Sequence, residues 1–139
     1  MKVDVRSTLK RPAYSAERAK KFLNRALVFS GHSAEEISVF FCGDAAMRHL
    51  NRTYRSKDKT TDVLSFPSGA ANGGFLGDLI VSEPEARRQA RDDGSALEKV
   101  VEKLLLHGLL HLLGYDHETD RGEMDDLESK LRRKLSTAQ

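Results

Sequence analysis

A single leucine-rich segment places the strongest constraint on how this chain of 139 residues can fold. The segment ALEKVVEKLLLHGLLHLLG occupies residues 96–114, and after Val100 it is apolar on nearly every side of a helix. Such a helix is stable in water only when neighbouring elements cover most of its surface. Gly114 follows the last leucine and is placed to end the helix in a left-handed turn. The sequence therefore predicts a helix that is buried on most sides.

Three of the five histidines lie in this helix or just after it. His107 and His111 are four residues apart, so their side chains leave the same face one turn apart and can hold one metal ion. The turn at Gly114 lets the chain reverse, so that His117 can supply a third nitrogen. Three histidines leave one position of a tetrahedral zinc ion open for water, which is typical of a catalytic site. An unsatisfied buried imidazole would cost roughly 1–3 kcal/mol, which favours a metal site over ordinary core histidines.

The spacing HxxxHxxGxxH also matches the metzincin metalloproteases, with one large difference. In those enzymes a glutamate follows the first histidine and acts as general base. This chain has Gly108 at that position. Because glycine cannot transfer a proton, the sequence does not support peptide hydrolysis by the usual route.

The remaining segments alternate between strand patterns and helix patterns. Strands are predicted at residues 2–6, 37–42, 63–66 and 75–82, where alternating polarity or β-branched and aromatic residues prevail. Further helices are predicted at about residues 15–29, 44–54, 82–93 and 120–135. Because the elements interleave without a long linker, we expect one α/β (α+β) domain over residues 1–139, with a mixed sheet of about four strands and helices packed on it.

Short polar residues before these helices are predicted to cap them. Single caps are predicted at Ser15, at Gly43 followed by Asp44, and at Ser82. Two pairs, Ser95 with Glu98 and Asp120 with Glu123, have the spacing of a capping box, in which each side chain bonds the other residue's amide. The leucine-rich helix is thus expected to begin directly after Ser95.

Charge is distributed unevenly, although the net charge is only +2. Residues 1–60 contain 13 lysines and arginines against 6 acidic residues, whereas residues 61–139 contain 10 against 15. A basic first half is expected of a protein with a polyanionic partner. A set of solvated helix faces would give the same counts, so charge alone leaves both interpretations open.

The amino terminus and the single cysteine indicate where the protein works. The segment MKVDVRSTLKR has neither a signal-peptide pattern nor a transmembrane stretch, so a cytoplasmic location is expected. Cys42 excludes an intramolecular disulfide framework, and its setting in EISVFFCG predicts a buried, unreactive strand residue.

Three motifs of the sequence resemble those of the YbeY family of bacterial rRNA-processing endoribonucleases. HGLLHLLGYDH at residues 107–117 is similar to the family signature HGxLHLxGYDH. LNRTYRSKDKTTDVLSFP at residues 50–67 resembles a second motif, and GDL at residues 77–79 resembles a third. Their order and spacing fit along essentially the whole chain. One departure is Thr60, where many members have proline, and this change is expected to affect only the stiffness of the loop.

The resemblance implies an α/β metalloprotein that binds one zinc ion through His107, His111 and His117. It also implies a cytoplasmic enzyme acting on single-stranded RNA, in the 3′-end maturation of small-subunit (16S) rRNA and in ribosome quality control. The expected partners are rRNA and the ribosome or its small-subunit proteins, without a membrane. The family's functionally important arginine corresponds to Arg55.

Arg55 lies with Lys57 and Lys59 in a basic segment that leads into the predicted strand VLSF. An arginine can hold a phosphate through two hydrogen bonds and stabilise the charge that develops in phosphoryl transfer. Arg55 and His107 are therefore the expected catalytic residues, and Arg55 and the two lysines the expected RNA contacts. Without the resemblance, a solvated arginine would be the simpler interpretation. A zinc ion lowers the pKa of its bound water toward about 7, and either that hydroxide or the RNA 2′-hydroxyl can be the nucleophile.

Four other residues near the motifs have open roles. Asp116, beside His117, and Asp78 are candidates for supporting a metal ligand or accepting a proton, with a plain surface carboxylate as the alternative. Asp62 has the same status. Tyr115 is interpreted as a packing residue and not as a catalytic one.

Two other classes of function stay open. A zinc-stabilised ribosome-assembly factor that binds rRNA but cleaves little would agree with the missing glutamate at Gly108. A metal-dependent hydrolase of another substrate, including peptides, would need only the spacing HxxxHxxGxxH. That second alternative predicts no role for the basic segment around Arg55.

Overall fold

The structure, a computed structural model, describes residues 1–69, 74–116 and 118–137. Within these residues the chain forms four strands and five helices, in agreement with the predicted elements. In chain order they are β1 (Lys2–Ser7), α1 (Ala16–Phe29), β2 (Glu36–Cys42), α2 (Asp44–Arg55), β3 (Val63–Pro67), β4 (Phe75–Ser82), α3 (Glu83–Asp93), α4 (Leu97–Leu112) and α5 (Glu123–Thr137). No helix in the described part of the chain is long and apolar enough to cross a membrane.

The four strands form one mixed sheet in the order β1-β2-β4-β3. β2 is parallel to both β1 and β4, and β3 is antiparallel to β4. β3 is therefore an outer strand, with one edge open to other elements. The prediction of a single α+β domain with a four-stranded mixed sheet and packed helices is confirmed.

α4 lies on one face of this sheet and contacts β3, β4, α1, α3 and α5. Ten of its 16 residues are buried, as the apolar pattern predicts. The sheet meets it with alternate side chains such as Val39, Phe41 and Leu79, which belong to the same core cluster. Burial of these side chains on both sides of the contact is the main favourable contribution to folding.

α2 covers the opposite face of the sheet over a smaller apolar cluster. Cys42, Met47, Leu64 and Ile80 form that cluster. Cys42 is fully buried, and burial raises the pKa of its thiol to about 11. The prediction of a buried strand cysteine is confirmed, and the raised pKa agrees with low reactivity.

The predicted caps at Ser15 and Ser82 are confirmed, and of the pair Gly43 and Asp44 it is the glycine that occupies the cap position. The hydroxyls of Ser15 and Ser82 accept hydrogen bonds from the Arg18 and Glu85 amides, at 3.3 Å each. Asp44 is instead the first residue of α2, and Gly43 occupies the cap position without a side-chain hydrogen bond. The Asp44 carboxylate accepts hydrogen bonds from tertiary partners, the strongest of which is Arg88 of α3.

The capping box predicted at Ser95 is wrong, because Ser95 belongs to the end of the preceding helix. Gly94 ends α3 in a left-handed conformation, and the Ser95 amide donates to the Ala90 carbonyl. α4 then begins at Leu97, and its cap residue Ala96 provides no side-chain hydrogen bond. Ser95 thus belongs to the turn that ends α3, although the local sequence pattern assigns it to the start of α4.

The second predicted capping box is also wrong in detail. α5 begins at Glu123, three residues after Asp120. Asp120 still accepts hydrogen bonds from the Gly122 and Met124 amides at 2.9 Å, but Glu123 accepts from the Arg121 amide and not from that of Asp120. The two side chains therefore stabilise the entry to the helix without forming the reciprocal pair.

Candidate active site

A cleft of about 640 Å³ lies beside the outer strand β3, where α4 ends and the chain turns. α3 and α5 contribute one side chain each, and the last residue of α2 lies at its margin. The structure brings together in this cleft six of the residues that the sequence singles out: Arg55, Asp62, His107, His111, Tyr115 and Asp116.

His107 and His111 lie one turn apart on α4, with ring centroids 4.8 Å apart and ring planes at 77°. The expectation that both are buried in the apolar helix is corrected, because 30% of the His107 side chain is exposed and His111 is also half-buried. The two histidines lie on the side of α4 that lines the cleft, where the side chain of Glu128 on α5 also reaches. Both imidazoles can therefore reach an ion in the cleft.

The turn after α4 has the predicted left-handed glycine. Gly114 has φ +102°, its amide donates to the His111 carbonyl, and the Tyr115 amide donates to that of Leu110. This pair of hydrogen bonds is the Schellman arrangement that reverses a chain at a helix end. His117 lies outside the described residues, and no set of three side chains within them is arranged to hold a metal ion. His117 stays the predicted third ligand.

Glu128 on α5 is a site residue that the sequence analysis missed. Its Oε2 lies 3.2 Å from Nδ1 of His107, and only 10% of its side chain is exposed. The hydrogen bond raises the pKa of His107 against the opposing effect of burial. Burial alone would raise the pKa of Glu128, but the hydrogen bond to His107 and nearby cations lower it overall. When Nδ1 carries the proton toward Glu128, Nε2 is left to bind a metal, an arrangement common among zinc-binding histidines.

The donor set present therefore fits a zinc ion: two imidazoles from one helix face, one of them oriented by a buried carboxylate. A signal for Glu128 was available in the sequence. Met124, Leu131 and Leu135 form the buried stripe of α5, and Glu128 falls on that stripe at helical spacing. A carboxylate on a buried stripe indicates a buried polar partner.

Arg55 is the last residue of α2, and the left-handed Ser56 directly after it ends the helix. Its Nη2 donates to the Ser65 carbonyl at 2.9 Å. Its guanidinium carbon lies 5.7 Å from the centroid of the Phe66 ring. Two contacts with the outer strand β3 thus hold the guanidinium at the margin of the histidine cleft.

Two of the predicted RNA-binding residues are not brought to the cleft. Lys57 and Lys59 are exposed and do not line it. Between them, Asp58 forms ion pairs with Arg48 and Arg52 at 2.8 and 3.8 Å, which reduces the positive charge of this segment.

Asp78 lies on the wrong face of the sheet for the supporting role that the sequence suggested. Its neighbour Leu79 faces α4, so alternation along β4 directs Asp78 toward the α2 face, together with Ile80. Asp62 and Asp116, by contrast, both line the cleft. Of the three aspartates considered, these two lie in the cleft, and their role in supporting a ligand or accepting a proton stays a prediction.

The cleft is not basic, although the first half of the chain is. Arg55 is the one residue of the first 60 among those described as lining it, and Lys103 adds a second cation. Four carboxylates line the same cleft: Asp62, Asp116, Glu118 and Glu128. Such an excess of negative charge attracts a divalent cation and by itself repels phosphate.

Gly108 faces the sheet and not the cleft. A Cβ at this position would lie 2.6 Å from Cδ2 of Leu79 and 3.2 Å from Oγ of Ser65. The Ser65 hydroxyl also lies within hydrogen-bond distance of the Gly108 carbonyl, at 3.5 Å. The absence of glutamate here therefore reflects close packing of α4 on the sheet.

Tyr115 packs against the main core, and its hydroxyl lies 3.2 Å from Nε2 of His32. The two rings meet edge to face, with centroids 6.0 Å apart. These contacts agree with the interpretation of Tyr115 as a packing residue.

Comparison with known proteins adds an independent line of evidence. The family model described as Endoribonuclease YbeY matches residues 4–136. Endoribonuclease YbeY of Aquifex aeolicus is 44% identical over 135 residues, which cover 94% of this chain and 90% of that protein. Endoribonuclease YbeY of Solibacter usitatus is 47% identical over 129 residues, with coverage of 93% and 82%.

One solved structure, the solution structure of a Thermotoga maritima protein, has the same fold. It superposes with a TM-score of 0.69 at 24% identity, covering 96% of this chain and 88% of that one. The motifs, the fold and the extent of the sequence match agree with one another. The chain belongs to the YbeY family of endoribonucleases.

Proposed function

We propose that this protein is a zinc-dependent endoribonuclease that cuts single-stranded RNA. The observation that carries the proposal is that His107, His111 and Arg55 line one cleft. The relatives that match nearly the whole chain are named endoribonucleases. The cellular role proposed is maturation of the 3′ end of small-subunit (16S) rRNA and ribosome quality control, in the cytoplasm and in association with the ribosome.

Within this proposal His107 and His111 hold the zinc ion, and His117 is the third ligand. A bound zinc ion supplies a Lewis acid and a water molecule of lowered pKa. Glu128 would accept a hydrogen bond from the protonated Nδ1 of His107, which leaves Nε2 as the unprotonated nitrogen that could hold a metal. The four carboxylates of the cleft favour the approach of a divalent cation.

Arg55 binds the phosphate that is cut. Its contact with the Ser65 carbonyl uses one of the five N–H donors of a guanidinium. The Phe66 ring limits its movement, so the remaining donors can meet phosphate oxygens without reorganisation. A fixed cation of this kind stabilises the negative charge that develops as the phosphodiester is cleaved.

Asp62 and Asp116 are the proposed proton acceptors, because both line the cleft. The case for a non-catalytic assembly factor rested on the missing glutamate at Gly108. Since that position faces the sheet, its residue type says nothing about catalysis. We therefore favour the enzyme over the assembly factor.

The test uses purified protein of measured zinc content with single-stranded RNA, duplex RNA and a peptide. Arg55→Ala is expected to slow RNA cleavage by about 100-fold or more, as removal of one charge-stabilising group does elsewhere, while zinc remains bound. His111→Ala is expected to lose both cleavage and zinc. Arg55→Lys, which keeps the charge but not the paired hydrogen bonds, controls for charge.

Nuclease activity in zinc-free His111→Ala would refute the metal-dependent mechanism. Cleavage of the peptide without cleavage of RNA would support the alternative hydrolase.

A further inference from the structure

The histidine face of α4 continues into two lysines. Lys99, Lys103, His107 and His111 follow one another at intervals of four residues, so they form one row along the helix surface. Each interval advances about 6 Å along the axis. Lys99 and Lys103 are both exposed. A strand of RNA held at the histidines therefore has two cations next to it on the same helix.

A second groove, of about 530 Å³, lies between α1, α4 and α5. Its lining includes Lys99, Lys103 and Arg132, and we call it the lysine groove. Lys103 also lines the histidine cleft, so the two depressions meet at its side chain. The groove thus extends the candidate active site toward the N-terminal end of α4.

The charge of the lysine groove is opposite to that of the cleft. Within the described part of the chain, Lys99, Lys103 and Arg132 have no carboxylate within ion-pair distance. Two acidic residues line the groove, Glu102 and Asp93. Glu102 is already neutralised by Arg18, whose Nε lies 2.6 Å from its Oε2. Lys103 and Arg132 also act at longer range on the Glu128 carboxylate, whose pKa they help to lower, but no ion pair within the described residues engages them or Lys99.

The lining of the groove fits a polyanion better than a protein surface. Its apolar residues, Phe22, Val100 and Leu135, are buried, so they offer little area for the apolar centre of a protein interface. Flexible lysine and arginine side chains, with the hydroxyls of Ser95 and Ser136 beside them, are suited to a phosphate backbone.

We propose that the lysine groove binds the single-stranded RNA on one side of the phosphodiester that is cut. This inference rests on the proposed function, because it gives a binding site to the part of the RNA substrate that extends beyond the histidine cleft. The four carboxylates of the cleft repel RNA, whereas the neighbouring cations attract it. Substrate affinity therefore comes largely from the groove, and the cleft supplies the reaction.

The test is a double variant, Lys99→Gln with Arg132→Gln, in the full chain. Fluorescence anisotropy with a labelled single-stranded RNA of about 16 nucleotides measures affinity in the presence of a chelator, so that binding does not depend on metal or cleavage. The matched control is Arg91→Gln with Lys130→Gln, which removes the same charge from exposed positions outside both depressions. Circular dichroism verifies that both variants are folded.

The groove variant is expected to bind RNA about 10-fold more weakly than wild type, and the control less than 2-fold. The slope of log affinity against log salt should fall by about 1.4 in the groove variant, because each lost phosphate contact on a single strand contributes about 0.7. The variant Lys99→Arg with Arg132→Lys, which preserves both charges, should bind like wild type.

Equal losses in the groove variant and the control would overturn the inference, since only net charge would then matter. Competition by polyglutamate at the same charge concentration as RNA would also overturn it, in favour of an acidic protein partner. RNA binding that depends on the groove, in a zinc-loaded protein that cuts no RNA, would instead refute the proposed function and leave the groove assignment standing.

Discussion

Glu128 connects the last helix to the candidate metal ligand His107. It occupies a position on the apolar stripe of α5 where a leucine would serve packing equally well. Burying a carboxylate is costly unless it is hydrogen-bonded, and its partner is the imidazole 3.2 Å away. Because the contact fixes the orientation and the proton position of that ring, Glu128 is expected to act on metal binding and not on folding.

Glu128→Met should lower the affinity for zinc by about 10- to 100-fold, the usual cost of removing a carboxylate that orients a ligand. Methionine retains the volume and suits the apolar stripe, so the fold should be preserved. Competition with a chromogenic chelator measures the affinity directly. Asp126→Asn, which removes an exposed carboxylate of the same helix outside the cleft, is the control and should bind zinc like wild type. An unchanged affinity in Glu128→Met would contradict the role assigned to the hydrogen bond.

Among the elements, α4 both carries the two histidines and fills much of the core. It must therefore pack closely against its neighbours. Its approach to the sheet depends on Gly108, where a Cβ would meet the Leu79 side chain in a fully buried environment. Glycine is otherwise a poor helix residue, costing about 1 kcal/mol relative to alanine. Its presence in the middle of α4 is explained by packing.

Gly108→Ala should therefore destabilise the protein by about 1–2 kcal/mol, since an overpacking cost of about 1–3 kcal/mol exceeds the gain in helix propensity. Urea denaturation monitored by circular dichroism gives the change in unfolding free energy. The control is the same substitution in a Leu79→Ala background, where the clash is removed and the added methyl group fills space. If Gly108→Ala costs the same in both backgrounds, the close contact is not the cause.

At the scale of the whole molecule, the two faces of the sheet are joined through Asp44. α2 covers its face of the sheet with one small cluster, and the Asp44 carboxylate in its first turn accepts hydrogen bonds from Arg88 of α3 at 2.8 and 2.9 Å. Ser82 and Thr60 donate to the same carboxylate at 3.2 and 3.3 Å. The hydrogen bonds from Arg88, followed by the weaker contributions of its charge and of the two hydroxyls, lower the pKa of Asp44 despite some desolvation.

A lowered pKa means that the folded state binds fewer protons than the unfolded state near that pH. The stabilisation by Asp44 is then fully present above the ordinary aspartate pKa of about 3.9 and is lost as the pH falls further. Asp44→Asn should accordingly be less stable than wild type at pH 7, and the difference should shrink as the solution is acidified below about pH 4. Urea denaturation across this range measures it, with Asp92→Asn, an exposed position on α3, as control. A difference that grows on acidification would contradict the assignment.

Much of the element pattern was predictable from the sequence because it depends on neighbouring residues. The apolar run of α4, the histidines four residues apart and the glycine at residue 114 each have a local physical meaning, and the structure confirms the helix, the shared face and the turn. Caps were less predictable where two elements compete for one residue. Ser95 has the pattern of a helix start, but its amide completes the end of α3.

The sequence by itself thus determined the strands, the buried helix, the histidine pair and the membership suggested by the motifs. The tertiary structure decided which side chains meet: Glu128 reaches His107 from α5, Gly108 faces the sheet, and Asp78 lies on the face away from the cleft. It also decided where the charges lie, placing an excess of carboxylates in the cleft and an excess of cations in the adjoining groove. The physical reason is that contacts between distant segments follow from how helices pack on the sheet, which local patterns of polarity do not specify.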